Sequence, residues 1–509
     1  MPAPIRQWPA LAEYIYAGAK AAADPEFLAV KEAIIEDWGA EALRKSWAKV
    51  CKDLQKITDE IAEKDNTIIP VFDSTQIIEK GFTNARRDEM KRIGTFVCRE
   101  SFLEEDTNKL YNDLKHFLAD NEGSIKGWPK ESPSMLLLYN SPSQNALRET
   151  TSDSLVYLDG VRDRAPGQPF PGLGAHVDAG SLCRWADPRY RKVYESIFSG
   201  EPESFDPYDL SVGKEANQAL YEGMAHSKVL RTFQGWTSLT PKAPRESTIM
   251  LYPNVKNVIA YILLRPIFRP PVGQEADIMD AEKWTIDDST GWFPGTFKAE
   301  SQRLSRSSHP HLRLEECLVV APPVKAGNTI WWHCDVCHAV DTEHLGKNNA
   351  SVAFIASCPT TQVNKDYIKK QLICTLEGRP APDYSEGNDL EETKLNGYVG
   401  LDGLGTDVRR AFGFGLLERS QYPREQPQAE GTVDRFVIFL RVGHSVEKDQ
   451  CEVVALPPDP RVRKLELLQL FIFEIGFRLK KAGEAVNHFY QLLIDRFDGL
   501  YCLIKGSGT

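Results

Sequence analysis

Two short stretches carry residues whose types and spacing could do chemistry. The first is Gly174-Ala175-His176-Val177-Asp178. The second runs from Gly327 through Trp331-Trp332-His333-Cys334-Asp335-Val336-Cys337 to His338. His176 and Asp178 stand two apart, and in an extended strand residues i and i+2 point to the same side. An imidazole and a carboxylate then face one point in space. His338 would supply a third ligand from a distant strand. Two imidazoles and one carboxylate on one face of a metal, with the other face open, suit chemistry with O2 at non-haem Fe(II).

The same residues admit other readings. Cys334-Asp335-Val336-Cys337-His338 matches the C-x-x-C-H pattern of c-type haem attachment, which requires export. The N-terminus Met1-Pro-Ala-Pro-Ile-Arg lacks an apolar run after a basic start, so no secretory signal is expected. His333, Cys334, Cys337 and His338 are also zinc donors, but along a strand they alternate faces and converge only across a turn. His176 alone reads as a core histidine. Asp178 changes that, because a buried carboxylate facing a buried imidazole needs a charge partner or a metal. His309 and His311 repeat the i, i+2 spacing without a carboxylate, and read as turn residues or polar lining.

The second stretch gives the His-x-Asp pair its specificity. It runs Gly, small polar, then bulky apolar residues, with His eleven positions after the Gly. On these residues, together with Arg231-Thr232-Phe233-Gln234-Gly235-Trp236, the sequence resembles the 2-oxoglutarate-dependent dioxygenases. It is most similar to the phytanoyl-CoA-hydroxylase-like group, in a fungal and bacterial branch, over roughly residues 90–415. The resemblance implies His176, Asp178 and His338 as the catalytic ligands of Fe(II). It implies 2-oxoglutarate and O2 as co-substrates, with ascorbate as a reductant. It also implies hydroxylation or another C–H oxidation of a small molecule, with release of succinate and CO2. The family's cation for the distal carboxylate of 2-oxoglutarate lies about ten residues after the distal His, where a bidentate Arg suits a carboxylate. This chain has Asn349 there. Arg231, Arg184 and Lys347 are the substitute cations, and Ser351 and Gln234 are further candidate co-substrate contacts. Two other functions stay open: a catalytically silent metal-binding barrel that binds a small molecule, and a cupin-like metalloenzyme that uses no 2-oxoglutarate.

The elements that must position these residues read as mostly β with flanking helices. Gly94–Cys98, Met135–Tyr139, Leu155–Leu158, Val229–Leu239, Ser247–Tyr252, Val258–Leu264, Glu316–Val320, Thr329–His333 and Ser351–Ser357 read as strands, and Ser181–Trp185 as a continuation of the His-x-Asp strand. Many short strands with few helices between them argue for an antiparallel barrel or jelly roll. The fold class is therefore a double-stranded β-helix, cupin-like, with an N-terminal helical region and a C-terminal helical extension. The expected domains are 1–89 (helical), 90–420 (oxygenase domain, with insertions at about 187–226 and 269–306) and 421–509 (linker and helical tail). Residues 24–64 read as helix, capped by Asp24-Pro25, with Leu43, Trp47, Val50, Leu54, Ile57 and Ile61 in one apolar stripe. Ser101–Leu118 reads as a second helix, and Arg162–Gly174 as a loop rich in Pro and Gly. The insertions read as surface cover or as a lid over the barrel mouth. In the tail, Leu465, Leu468, Phe471 and Ile472, then Val486, Phe489, Leu493 and Phe497, mark helix.

Composition bounds the rest. A net charge of −11 offers no basic footprint for nucleic acid, and no stretch reaches about 18 uninterrupted apolar residues, so neither nucleic acid nor membrane is an expected partner. Ten scattered cysteines in 509 residues are too sparse for a disulfide scaffold, and reduced thiols in the cytoplasm are expected.

Overall fold

The structure is a computed structural model. It describes residues 24–416 apart from 129–131, 137–153, 171, 179–180, 215, 222–227, 272–277, 299, 385–390, 399, 402–403 and 405. The tail at 421–509 and its expected helix lie outside the described residues, as does most of the expected strand Met135–Tyr139.

Sixteen short strands are described. They are β1 (Val71–Asp73), β2 (Thr95–Arg99), β3 (Gly127–Trp128), β4 (Met135–Leu136), β5 (Ser154–Leu155), β6 (Val161–Arg164), β7 (Leu173–Val177) and β8 (Phe233–Ser238). They continue as β9 (Ile249–Leu251), β10 (Phe268–Arg269), β11 (Thr285–Ile286), β12 (Gln302–Arg303), β13 (Val319–Val320), β14 (Thr329–His333), β15 (His338–Val340) and β16 (Ala350–Pro359). A large sheet has the order β1-β2-β14-β8-β16-β6-β4-β3, with β5 beside β16; a smaller one has the order β12-β7-β15-β9-β13. Every pairing in both is antiparallel except β1 with β2. From β6 to β9 and again from β13 to β16 the chain alternates between them, with β6, β8, β14 and β16 in the large sheet and β7, β9, β13 and β15 in the small one; β12, also in the small sheet, falls between these two runs. The inner faces meet where Gln234 of β8 reaches Asp178 beyond β7, and where the ring of Trp332 on β14 lies 5.2 Å from that of His338 on β15.

The two sheets do not close into a barrel, and the molecule mixes helix with sheet instead of being mostly β. The helix Pro25–Lys64 begins where its cap residues place it, with Asp24 accepting from the Glu26 N–H and Pro25 in the first turn. It breaks at Gly39 (φ +79°) and buries Leu43, Trp47, Val50, Leu54 and Ile61 in the same core as the sheets. Val258–Leu264, read as a strand, belongs to the helix Val255–Leu264, buried on all sides. A short apolar run has no periodicity to separate helix from strand. The signal that separates them is Asn254, whose side chain caps the Asn257 N–H at 3.0 Å. Ser181–Trp185 turns into the helix Cys183–Ala186, and Glu316–Val320 splits into the helix Leu314–Cys317 and β13. Arg162–Gly174 is not wholly loop, since β6 and the start of β7 lie within it.

The insertions are built into the fold. The first folds into short helices and places Tyr190, Tyr194, Phe198 and Phe205 in the main core. The second ends in β12, which pairs Arg303 with His176 and Gln302 with Val177. It therefore forms the outer edge of the strand that carries the site.

Candidate metal centre

The register of the small sheet brings the two histidines together. His338 and His176 are Cα partners across β15 and β7, and their rings lie 4.2 Å apart. Gly327 sets up the approach: it holds φ +86°, and a Cβ there would meet the Phe102 carbonyl oxygen at 2.4 Å. β14 then runs in the large sheet, not as one strand with His338. The chain reverses at Cys334–Cys337, with Val336 N–H donating to the His333 carbonyl at 2.9 Å, and enters the small sheet at His338.

His176 Nε2 lies 3.3 Å from Asp178 Oδ1, and His338 Nε2 lies 3.4 Å from Asp178 Oδ2. His176, Asp178 and His338 form one of two described clusters whose donor atoms could hold a metal ion. The tautomers follow from the other ring nitrogens. His176 Nδ1 donates to the Gly174 carbonyl at 2.7 Å and His338 Nδ1 to the Val336 carbonyl at 3.0 Å. Each Nε2 is then a bare lone pair aimed at a carboxylate oxygen. Burial, then the neighbouring His176, holds the His338 imidazole below its ordinary value against the pull of Asp178. Three acceptors converging without a donor between them are the donor set of a divalent cation. The site opens on the Asp178 side, whose side chain is 31% exposed against 2% for His176 and 5% for His338.

Gln234 donates from Nε2 to Asp178 Oδ2 at 2.8 Å, so it orients the carboxylate. Its Oε1 and the Nε1 of Trp332, both buried, have no hydrogen-bond partner among the described residues. The two residues are Cα partners across β8 and β14.

The remaining sequence candidates lie elsewhere. Arg184 is spent on a buried ion pair with Asp335 at 2.7 Å and on Tyr194 Oη at 2.6 Å. Asp335 belongs to the turn before His338, so Arg184 supports that turn. Arg184→Met strips the buried Asp335 of its partner and is expected to lower metal affinity by about 10–100-fold, measured by competition with a chromogenic chelator. Lys347 is exposed. Ser351 is buried, faces away from Gln234 by its place in β16, and leaves its Oγ unpaired. Asn349 ties β16 to β6 through Asp163 at 2.8 Å. Arg231 lies beside the triad: Thr232 accepts the Cys334 N–H at 3.2 Å, and Gln234 follows three residues on.

The second cluster, His333, Cys334 and Asp335, is closed by its own bonds. His333 Nε2 meets the Pro207 carbonyl at 3.1 Å, its Nδ1 accepts the Asp335 N–H at 3.1 Å, and Asp335 holds Arg184. Cys337 is buried, and burial pushes its thiol up. His309 and His311 are core, not pocket lining: His311 packs on Trp47, Tyr261 and Trp284, and burial, then Arg265, pushes it down to about 4.

Two cations were missed by sequence reasoning. Arg162 and Lys242 are both buried, and neither has a carboxylate within ion-pair distance among the described residues. Arg162 donates to the Ser247 carbonyl at 3.0 Å and leaves Nε unpaired. Lys242 donates to the Ser351 carbonyl at 2.6 Å and to Thr240 Oγ1 at 3.1 Å. Burial, then Arg164, pushes Arg162 down to about 10; burial, then Arg162, pushes Lys242 well below its ordinary value. Arg162, Val352 and Ser238 are partners across three strands, as are Ala356 and Gln234 at the triad end. Strand alternation therefore puts Arg162 on the same inner face as Gln234. The legible signal was Val161-Arg-Asp-Arg164, which sets two arginines on one side of a strand.

Fold and site together define a two-sheet protein with an interior cluster of two histidines and one aspartate. The chain belongs to the Gig2-like family, whose model matches residues 22–154 and 147–414. This replaces the narrower resemblance to the phytanoyl-CoA-hydroxylase-like group. The match begins at residue 22 and so takes in the helix Pro25–Lys64. Protein YbiU of Escherichia coli (strain K12) is 30% identical over 417 residues, 73% of this chain and 94% of that protein. The crystal structure of GIG2 from Candida albicans is similar at a TM-score of 0.68, with 25% identity, covering 79% of this chain and 91% of that one. Escherichia coli protein JW0805 shares the fold at a TM-score of 0.63 and 24% identity, over 79% of this chain and 99% of its own.

Proposed function

We propose that this protein is a non-haem Fe(II)- and 2-oxoglutarate-dependent oxygenase that oxidises a C–H bond of a small molecule. The observation that carries the reading is the convergence of two bare Nε2 lone pairs and one carboxylate on a single point open on one side. That set leaves coordination positions for co-substrate and O2. The alternation of β6 to β9 and of β13 to β16 between two largely antiparallel sheets supports a jelly-roll reading of the fold. Bound iron with 2-oxoglutarate and O2 would supply the oxidising power, and the chain would supply placement and exclusion of water.

In this reading the carbonyls of Gly174 and Val336 lock the imidazole tautomers, and Gln234 aims Asp178. Trp332 covers His338 from the large sheet. Arg162 and Lys242, buried cations with no carboxylate within ion-pair distance among the described residues, take the distal carboxylate of 2-oxoglutarate, the role for which Arg231, Arg184 and Lys347 were candidates. A buried unpaired cation is costly, and an arriving carboxylate relieves that cost.

The test is O2 uptake and succinate release on adding Fe(II) and 2-oxoglutarate, without substrate and across small-molecule libraries. Silence under all conditions overturns the reading in favour of a binding protein or a cupin-like metalloenzyme. Arg162→Met is expected to raise the 2-oxoglutarate requirement by about 10–100-fold while iron stoichiometry stays at the wild-type level. An unchanged requirement removes Arg162 from this role.

A further inference from the structure

We infer that Arg231 is an anion anchor at the open side of the metal centre, and that the substrate presents a carboxylate to it. The inference rests on the oxygenase reading for the word substrate, but its geometry stands apart from that reading. Arg231 precedes β8 at the end of the large sheet nearest the triad, where the Cys334 turn returns beside Thr232. Its side chain is 13% exposed, and its charge acts electrostatically on Asp178, whose side chain is 31% exposed.

The guanidinium is underused. No hydrogen bond from Arg231 to another described residue is formed, although it has five N–H donors. The carboxylate within ion-pair distance among the described residues, Asp159, lies at 3.8 Å, beyond hydrogen-bond distance. Asp159 has other partners: its Oδ1 accepts the Gly160 N–H at 2.8 Å and the Tyr384 hydroxyl at 3.2 Å. Tyr157 stands under the guanidinium with its ring centroid at 5.6 Å, and its hydroxyl donates to Asp383 at 3.0 Å. The Tyr157, Asp383, Tyr384 and Asp159 network thus fixes the wall behind Arg231 without consuming its donors. Burial would lower the Arg231 guanidinium, but Tyr157, Asp178 and Asp159 outweigh it and keep the cation charged.

A planar fork with open N–H groups fits a carboxylate in bidentate fashion. A neutral ligand can accept from the same N–H groups but adds no charge to the long ion pair with Asp159. The deep cations Arg162 and Lys242 are on the inner face of the sheets, so the two positive sites are separate. A co-substrate held by the deep pair leaves Arg231 for the substrate.

The test uses full-length protein loaded with Zn(II), with and without saturating 2-oxoglutarate. The probes are butyrate, hexanoate, benzoate and 3-phenylpropionate, each against its primary amide, followed by ligand-observed NMR. The expected result is that at least one carboxylate binds wild type about tenfold or more tightly than its amide. With 2-oxoglutarate saturating, Arg231→Gln loses that preference and Arg231→Lys keeps part of it. The inference is overturned if no carboxylate outperforms its amide, or if Arg231→Gln retains the preference. It is equally overturned if Arg231→Gln raises the 2-oxoglutarate requirement and Arg162→Gln does not, since Arg231 then serves the co-substrate. A wild type that consumes no 2-oxoglutarate with Fe(II) refutes the oxygenase reading alone, and leaves the comparison of acid with amide standing.

Discussion

His176→Ala, Asp178→Ala and His338→Ala are each expected to lose bound iron entirely after anaerobic reconstitution and desalting, with metal counted by plasma mass spectrometry. The three donor atoms converge on one point, and two ligands on a hexacoordinate ion cannot hold it through desalting. With each Nδ1 proton donated to a backbone carbonyl, both Nε2 atoms face the carboxylate, at 3.3 and 3.4 Å, as acceptors. A bound cation also stabilises the fold by mass action, by about 2.7 kcal/mol at a hundredfold excess over its dissociation constant. Wild type should therefore gain melting temperature on adding Fe(II) or Mn(II), and the three variants should not. Gln234→Ala should keep iron but bind it more weakly, because Asp178 loses its orienting donor. Iron at wild-type stoichiometry in all three alanine variants would end the metal-centre assignment.

How far this site was legible in the sequence depends on which order of structure positions each group. The His176 and Asp178 pair follows from strand periodicity, which acts over three residues and needs no tertiary information. His338 was implied by the family resemblance, in which the distal His follows a Gly-led turn and strand, and Gly327 does hold a positive φ against the Phe102 carbonyl. The reversal at Cys334–Cys337 was not seen, because four residues of mixed polarity after two tryptophans carry no Gly or Pro to mark a turn. Its stabilising partner, Arg184, comes from a helix 151 positions before Asp335, across the ion pair between them. Residue type suggested a cation for the co-substrate; only the fold showed that its charge is already answered.

The same limit explains Arg162, Lys242 and β12. An arginine in a strand reads as solvent-facing until the opposite sheet is known. The inward turn of Arg162 comes from its register with Val352 and Ser238. β12 is two residues long, too short for any periodic signal, yet it borders His176. The helix Val255–Leu264 failed for a different reason: an apolar run buried on every side fits both secondary structures, and only its cap at Asn254 discriminates.

Asp287→Ala is expected to destabilise the protein by about 3–5 kcal/mol, because it leaves Lys31 charged and buried without a partner. Lys31 Nζ, on the helix Pro25–Lys64, lies 3.1 Å from Asp287 Oδ2 and 3.1 Å from the Trp292 carbonyl, with side-chain exposures of 0% for Lys31 and 2% for Asp287. The pair ties that helix to the insertion that ends in β12 beside His176, so its loss should also weaken metal retention. Arg269 holds the other oxygen of Asp287 at 2.7 Å, and Thr290 donates to Oδ2. Lys31→Met therefore leaves Asp287 paired and should cost less than Asp287→Ala, as read from urea unfolding of the full-length protein. Both partners favour the fold as pH rises, each over its own window. Burial would raise the Asp287 carboxyl, but Thr290, Lys31 and Arg269 hold it at about 2 against an ordinary 3.8. Its contribution is fully present above the unfolded value and is lost as pH falls from about 4 toward 2. Burial pulls Lys31 down to about 8 from 10.5, more than Asp287 pulls it back. The unfolded chain binds more protons than the folded one between those values, so wild type should gain stability relative to Lys31→Met as pH rises from 8 to 10.5. A flat difference over that window would mean that Lys31 is as well solvated in the folded protein as in the unfolded chain, and the helix would not be pinned by a buried charge.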